Sequence, residues 1–253
     1  MKKIIAILLV AMLALGAVAE ALPVLTMGTN AAFKPYEFYE DTEIVGIDAE
    51  IAAAICEKLG YQLEIIDMDF ATLIPAVVSG KIDFAMAGMT VTEERLQSVN
   101  FSVSYATGVQ SIIVPIDGPI KNVDDLYAEG ASYTIGVQEG TTGDIYCTDD
   151  FGDENVLKFK TGPDAVAALA AGKIDAVVLD NNPAKAYIET YDNLILLDTD
   201  YAVEDYAIAI ALDNAELKEK IDAALAELIA DGTVDEIILK YIPVEEAEES
   251  AAE

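Results

Sequence analysis

The chain of 253 residues carries 46 acidic side chains against 14 basic ones, has no histidine or tryptophan, and bears a formal charge of -32. Without histidine it cannot build a Ser-His-Asp or Cys-His catalytic set, a histidine-ligated zinc site or an imidazole switch near neutral pH. The charge argues against nucleic acid and anionic lipid as partners, and an apolar share of 53% is too high for a disordered acidic chain.

In chain order, Lys2 and Lys3 precede an apolar run from Ile4 to Gly16 and then Ala17-Val18-Ala19, the layout of an export signal cut after Ala19 or Ala21. The run is shorter than the ~20 residues of a spanning helix. Cutting after Ala19 leaves 12 bases and 46 acids, a charge of -34, and no cysteine nearby to accept a lipid.

Short β-rich runs then alternate with helical stretches, the pattern of βα units and a largely parallel sheet. Strands are expected at Val24–Gly28, Gln62–Ile66, Ile82–Ala87, Ser111–Val114, Thr134–Val137, Ala176–Leu179 and Tyr206–Leu212. One helix is expected to start with Asp48 as its N-cap and stop at Gly60. Another runs from Asn214 to Asp231, with Ile221, Leu225 and Leu228 on one face.

Ser79–Thr90 reads SGKIDFAMAGMT and Ala171–Asn182 reads AGKIDAVVLDNN. Each copy follows an Ala/Val-rich helix and opens an apolar strand, which points to two similar α/β lobes. Ligands of open α/β sheets sit beyond the carboxyl ends of strands. Those ends are Ala87-Gly88-Met89-Thr90 and Leu179-Asp180. Extended stretches near Ser104–Gln110 and Tyr201–Tyr206 read as hinge strands. Lobe one is then expected over 22–106, lobe two over 109–203, and a return segment of lobe one over 207–243. The tail 244–253 is acidic and alanine-rich, has no turn or strand pattern and is expected to be frayed or disordered.

Cys56 and Cys147 either pair in an oxidising compartment or stay as two partly buried thiols. The acidic loop Thr148–Asn155 lacks the spacing of a calcium loop. No cofactor or metal motif is present, so none is expected.

Arg95, the one arginine beside 13 lysines, follows the Thr90 strand end. Its rigid fork suits a ligand carboxylate, with the Thr90 hydroxyl assisting. The alternative is a surface residue paired with Glu93 or Glu94. Asp180 ends an apolar strand, where it either pairs with an ammonium or caps the following helix. One Arg and one Asp at matching strand ends describe a clamp for a zwitterion. In GVQEGTTGD, Gly136–Asp144, the glycines and the hydroxyls of Thr141 and Thr142 suit an anion, or make a plain strand-to-helix turn. Phe33 and Phe70 either wall a pocket or belong to the core.

The runs NAAFKPYEF, IVGIDAEIAAAICEKLGY, MDFATLIPAVVSGKIDFAMAGMTVTEERLQSVNFS, VQEGTTGD and AVVLDNNP resemble the periplasmic solute-binding proteins of polar amino-acid ABC transporters, the family 3 extracellular solute-binding fold. The similarity runs from about Leu25 to Ile242. It implies an α/β fold of the periplasmic-binding-protein type II, two lobes joined by two hinge strands. It also implies a monomer outside the cytoplasmic membrane, periplasmic or extracellular, that closes on a free amino acid and delivers it to a permease. By resemblance Arg95 binds the α-carboxylate with Thr90 and Thr142. The backbone carbonyl of Gly88, next to Ala87, and the Asp180 carboxylate take the α-ammonium. Phe33 and Phe70 pack on the side chain, and Asn30 and Gln138 line its far end. Relatives that take basic amino acids usually have an acid at the Asn30 position. With a neutral amide there, and no second Arg to serve an acidic ligand, a glutamine-like ligand is expected. Two other classes share the fold: cyclohexadienyl dehydratase-like enzymes, which lack the ammonium-pairing acid, and sensory ligand-binding modules.

Overall fold

The computed structural model describes residues 21–198 and 201–243, so the export signal and the acidic tail lie outside the described residues. The first lobe opens with β1 (Val24–Thr29), which buries Leu25 and Met27, followed by a small antiparallel sheet of β2 (Ala32–Phe33), β3 (Glu37–Glu40) and β4 (Glu43–Val45). Then come α1 (Ile47–Leu59), β5 (Gln62–Asp67), α2 (Leu73–Val78), β6 (Phe84–Ala85) and β7 (Val99–Phe101).

Helix α1 starts two residues earlier than expected, with Gly46 rather than Asp48 at its N-cap. The cause is a close approach. A Cβ on Gly46 would sit 2.3 Å from the Tyr36 carbonyl oxygen, and the amides of Ile47 and Asp48 donate to the carbonyls of Pro35 and Tyr36. Those two residues therefore lie across the helix start, and the Asp48 side chain turns inward instead of capping.

From the first lobe the chain leaves along β8 (Ala106–Pro115), a ten-residue strand of which the expected Ser111–Val114 is only the buried middle. The second lobe continues with β9 (Ile135–Gln138), α3 (Thr142–Phe151), β10 (Val156–Phe159), α4 (Gly162–Ala170), β11 (Ala176–Asp180), α5 (Asn181–Ile188) and β12 (Leu194–Leu196). The chain returns along β13 (Ala202–Tyr206). It ends with β14 (Ala209–Ala211), α6 (Ala215–Ala230) and α7 (Thr233–Tyr241).

The first sheet has the order β5-β1-β6-β14-β7, parallel from β5 to β6 and antiparallel on both sides of β14. The return segment thus places a strand inside the first lobe. The second sheet runs β10-β9-β11-β8-β12. Strands β8 and β13 pair antiparallel from Ala106 opposite Tyr206 to Gln110 opposite Ala202, so the two hinge strands form one ladder. The expected strand Tyr206–Leu212 is accordingly two strands, because the chain changes sheet between Tyr206 and Ala209. Ile82–Ala87 shortens to β6, where its partners on β1 and β14 end.

The internal repeat has the same structure twice. Gly80 and Gly172 both take positive φ, 69° and 67°, to end their helices. The Lys81 and Lys173 amides donate back to Ala76 and Ala168, at 2.9 and 3.0 Å. The carboxylates of Asp83 and Asp175 then accept from the amides of Thr26 and Thr134, at 2.7 and 2.8 Å. In each lobe this fixes where the following strand emerges.

Cys56 and Cys147 are buried in different apolar clusters and are free thiols.

Candidate functional site

The strand ends of the two lobes face each other across a cavity lined by both. The first lobe contributes Asn30 after β1, Phe33 on β2, Phe70 ahead of α2, and Ala87, Gly88, Thr90 and Arg95 beyond β6. The second contributes Gln138 ending β9, Thr141 and Thr142 opening α3, and Asp180 ending β11. Eleven residues singled out from sequence therefore line one cavity, joined by Glu37, which sequence reasoning passed over.

Arg95 is 6% exposed and is not a surface residue paired with Glu93 or Glu94. Its Nη1 donates to the Thr90 carbonyl at 2.7 Å, and its Nη2 donates across the lobes to the Gly140 carbonyl at 3.0 Å. The guanidinium carbon lies 5.5 Å from the centre of the Phe70 ring, a cation–π contact. Burial draws its pKa down, and the nearby Glu204 carboxylate opposes that shift.

Asp180 stands at the N-cap position of α5, but its side chain makes no capping bond. Its Oδ2 accepts from Gln110 Nε2 at 2.8 Å, and Oδ1 accepts from the Tyr206 hydroxyl. Both partners are on hinge strands. Burial, reinforced by Glu204, pushes the carboxyl up to about 8. A cation brought into this cavity would reverse the shift.

Gly88 takes φ +53°, and a Cβ there would lie 2.6 Å from Phe33 Cε1. The Phe33 ring therefore packs on bare backbone and stacks on Tyr36, with centroids 5.6 Å apart. Asn30 and Gln138 bond to each other across the lobes, Gln138 Nε2 donating to Asn30 Oδ1 at 2.8 Å. Asn30 Nδ2 is spent on the Met68 carbonyl at 3.0 Å. The Asn30 amide is thus largely committed within the protein. The Thr141 hydroxyl donates to the Gln138 carbonyl and accepts from the Asp144 amide, so it caps α3.

Glu37 is 1% exposed, and neither of its carboxylate oxygens accepts a hydrogen bond from a donor. Its carboxyl is hydrogen-bonded to that of Asp48, whose Oδ2 also accepts from the Gly88 amide at 2.8 Å and the Tyr105 hydroxyl at 2.9 Å. Burial and this neighbouring acid push the Glu37 carboxyl well above the usual range, and burial lifts Asp48 to about 7. Burying a charged acid is costly, so in the absence of a cation Glu37 keeps its proton, and a cation brought beside it would favour its ionised form. The aromatic stretch around it, AFKPYEF, is the one sequence signal that marks it. Glu204 on β13 was also missed, as one more acid in an acid-rich chain.

Among the described residues no group of three or more His, Cys, Asp or Glu side chains is placed to hold a metal ion. In the acidic loop, Asp150 accepts from the hydroxyls of Tyr127 and Tyr201, and Asp153 pairs with Lys158 at 3.3 Å.

The sequence profile of the bacterial extracellular solute-binding proteins, family 3, matches residues 25–244. The arginine-binding extracellular protein ArtP of Bacillus subtilis is 32% identical over 220 residues, 86% of this chain and 85% of its own. The ABC transporter glutamine-binding protein GlnH of the same organism is 31% identical over 209 residues, covering 81% and 76%. An ancestral arginine-binding protein superposes with a TM-score of 0.80 in its arginine-bound form, at 39% identity over 88% of this chain and 99% of that one. Its glutamine-bound form gives 0.81 at 38% identity over the same shares.

Proposed function

The chain belongs to the bacterial extracellular solute-binding proteins, family 3, and from that premise we propose that it captures a free amino acid between its lobes, outside the cytoplasmic membrane, and hands it to an ABC transporter permease. The fork of Arg95 takes the α-carboxylate, since it is the one guanidinium in the cavity wall. Asp180, aimed into the cavity by Gln110 and Tyr206, takes the α-ammonium. Phe33 and Phe70 cover the aliphatic part of the side chain.

The ligand preferred by this wall is cationic, an arginine-like side chain. The observation that carries this is Glu37, sealed in the cavity wall with no donor on either oxygen and only a second acid, Asp48, as its hydrogen-bond partner. The same wall holds Asp180, against Arg95 as its one cation. A zwitterion uses one positive and one negative group, and Glu37 then keeps its proton beside Asp48. A guanidinium or ammonium on the side chain would favour the ionised form of Glu37 and pair with it. The likeness to an arginine-binding relative supports the same reading.

Glutamine is the second reading, favoured by the neutral Asn30 and by the glutamine-bound ancestral protein. In that case Glu37 keeps its proton and donates to the ligand's amide oxygen. The two readings separate on Glu37→Gln. An arginine-preferring protein loses arginine affinity by about 30-fold or more on losing a buried charge partner, while glutamine affinity holds or rises. Equal losses for both ligands contradict the cationic reading.

Capture needs no covalent step. The ligand touches both lobes only when they are together, so binding shifts the open–closed equilibrium by its differential affinity for the two states.

A further inference from the structure

Behind the cavity wall, the hinge carries a buried acid that does not line the cavity. Glu204 lies on β13, opposite Gly108 of β8, and is 6% exposed. Three donors converge on its Oε2: the hydroxyl of Thr90 at 3.0 Å, the hydroxyl of Thr142 at 2.9 Å, and Nε2 of Gln110 at 3.2 Å. Thr90 belongs to the first lobe, Thr142 to the second and Gln110 to the outgoing hinge strand. Gln110 spends its other amide proton on Asp180.

A carboxylate only accepts hydrogen bonds, whereas a hydroxyl has a single proton to give. While both threonines donate to Glu204, they turn only lone pairs toward the cavity. The hydroxyls then serve as acceptors for an N–H of the ligand, and the expected help for the α-carboxylate falls to Arg95 and to backbone amides, including that of Thr142 at the start of α3. Two hydroxyls from different lobes also reach one oxygen only when the lobes are together. Glu204 lies near enough to Arg95 to oppose the effect of burial on the guanidinium, and the Tyr146 hydroxyl beside it is pushed up to about 12 by burial and by this carboxyl group.

We propose that Glu204 is a positioning residue for ligand capture, acting through Thr90 and Thr142: it fixes both hydroxyls as acceptors toward the cavity and ties them together when the lobes close. The proposal rests on the reading of the cavity as an amino-acid site and is independent of which side chain is preferred.

The test is a mutant cycle read on the dissociation constants of L-arginine and L-glutamine, by calorimetry and by stopped-flow dissociation. Glu204→Ala is expected to weaken binding about ten- to hundredfold, mainly through faster release, because the closed form loses its tie. The pair Thr90→Val and Thr142→Val loses a similar amount. If Glu204 acts through these hydroxyls, adding Glu204→Ala to the pair costs little more, whereas a merely structural acid would add its full loss. Glu204→Gln keeps the volume and one acceptor oxygen, gives an intermediate loss, and closes the same cycle if the alanine variant fails to fold. Additive losses, or a Glu204→Ala protein that binds as tightly as the wild type, overturn the proposal. A wild-type protein that binds neither amino acid instead contradicts the amino-acid reading itself.

Discussion

Arg95→Ala removes the group on which capture turns. In the structure Arg95 bonds the carbonyls of Thr90 and Gly140 at 2.7 and 3.0 Å, the second across the lobes, and lies over Phe70. Truncation therefore deletes a contact of the closed form and leaves the ligand carboxylate desolvated without its partner. Removing one member of a buried charged pair costs roughly 2–5 kcal/mol. At about 1.4 kcal/mol per tenfold, affinity should fall by between about 30-fold and several thousandfold. Arg95→Lys should lie between the two, because an ammonium keeps the charge but cannot bridge both carbonyls and a carboxylate in one plane. Calorimetric titration with arginine measures the loss, and the melting temperature without ligand checks that the variants are folded. An Arg95→Ala protein whose dissociation constant stays within about threefold of wild type, well under 1 kcal/mol, would refute the assignment.

Three further outcomes follow from the buried groups. Burial raises Asp48 to about 7 and Asp180 to about 8, and holds Glu37 well above the usual carboxylate range, all above their unfolded values near 4. The native state then holds more protons than the unfolded one between these limits. The ligand-free protein is expected to melt highest at mildly acidic pH and to lose stability as pH rises through about 7–8; a melting temperature that climbs over this window contradicts the burial of these acids. Cys56 and Cys147 are buried thiols pushed up to about 11 and about 12, so a thiol reagent should label neither in the native protein and both after denaturation. Gly88→Ala places a methyl 2.6 Å from the Phe33 ring at φ +53°, and should cost about 2 kcal/mol in stability and weaken ligand binding as the ring is displaced; an unchanged melting temperature would mean the ring has room to move.

Much of the fold was legible because local rules repeat. The GKID turn occurs twice, with the same positive-φ glycine and the same aspartate bonded to a neighbouring strand. Reading that repeat located both strand ends, and with the resemblance it brought eleven residues to one cavity. What stayed hidden depends on distant chain segments meeting. Asp48 reads as a helix cap until Pro35 and Tyr36 lie across the start of α1 and turn it inward. Glu37 lies on β3, where Phe38, Tyr39 and Glu40 are progressively more open, and its burial comes from that same crossing. Glu204 sits beside Asp205 on a strand of alternating exposure, and only the ladder with β8 and the approach of Thr90 and Thr142 show which acid points inward. In a chain with 46 acids, the residue type alone could not single these out. The neutral Asn30 was legible as a cavity residue, but its commitment to Gln138 and Met68 was not, because those partners come from other elements of the fold.

Side-by-side calorimetry of the wild-type protein with L-arginine and L-glutamine decides whether the Glu37 carboxyl in the cavity wall selects a cationic side chain. Arginine is expected to bind in the nanomolar to micromolar range, about -8 to -12 kcal/mol, with glutamine weaker by about a hundredfold or more. Glutamine binding as tightly as arginine, or more tightly, would rule that selection out.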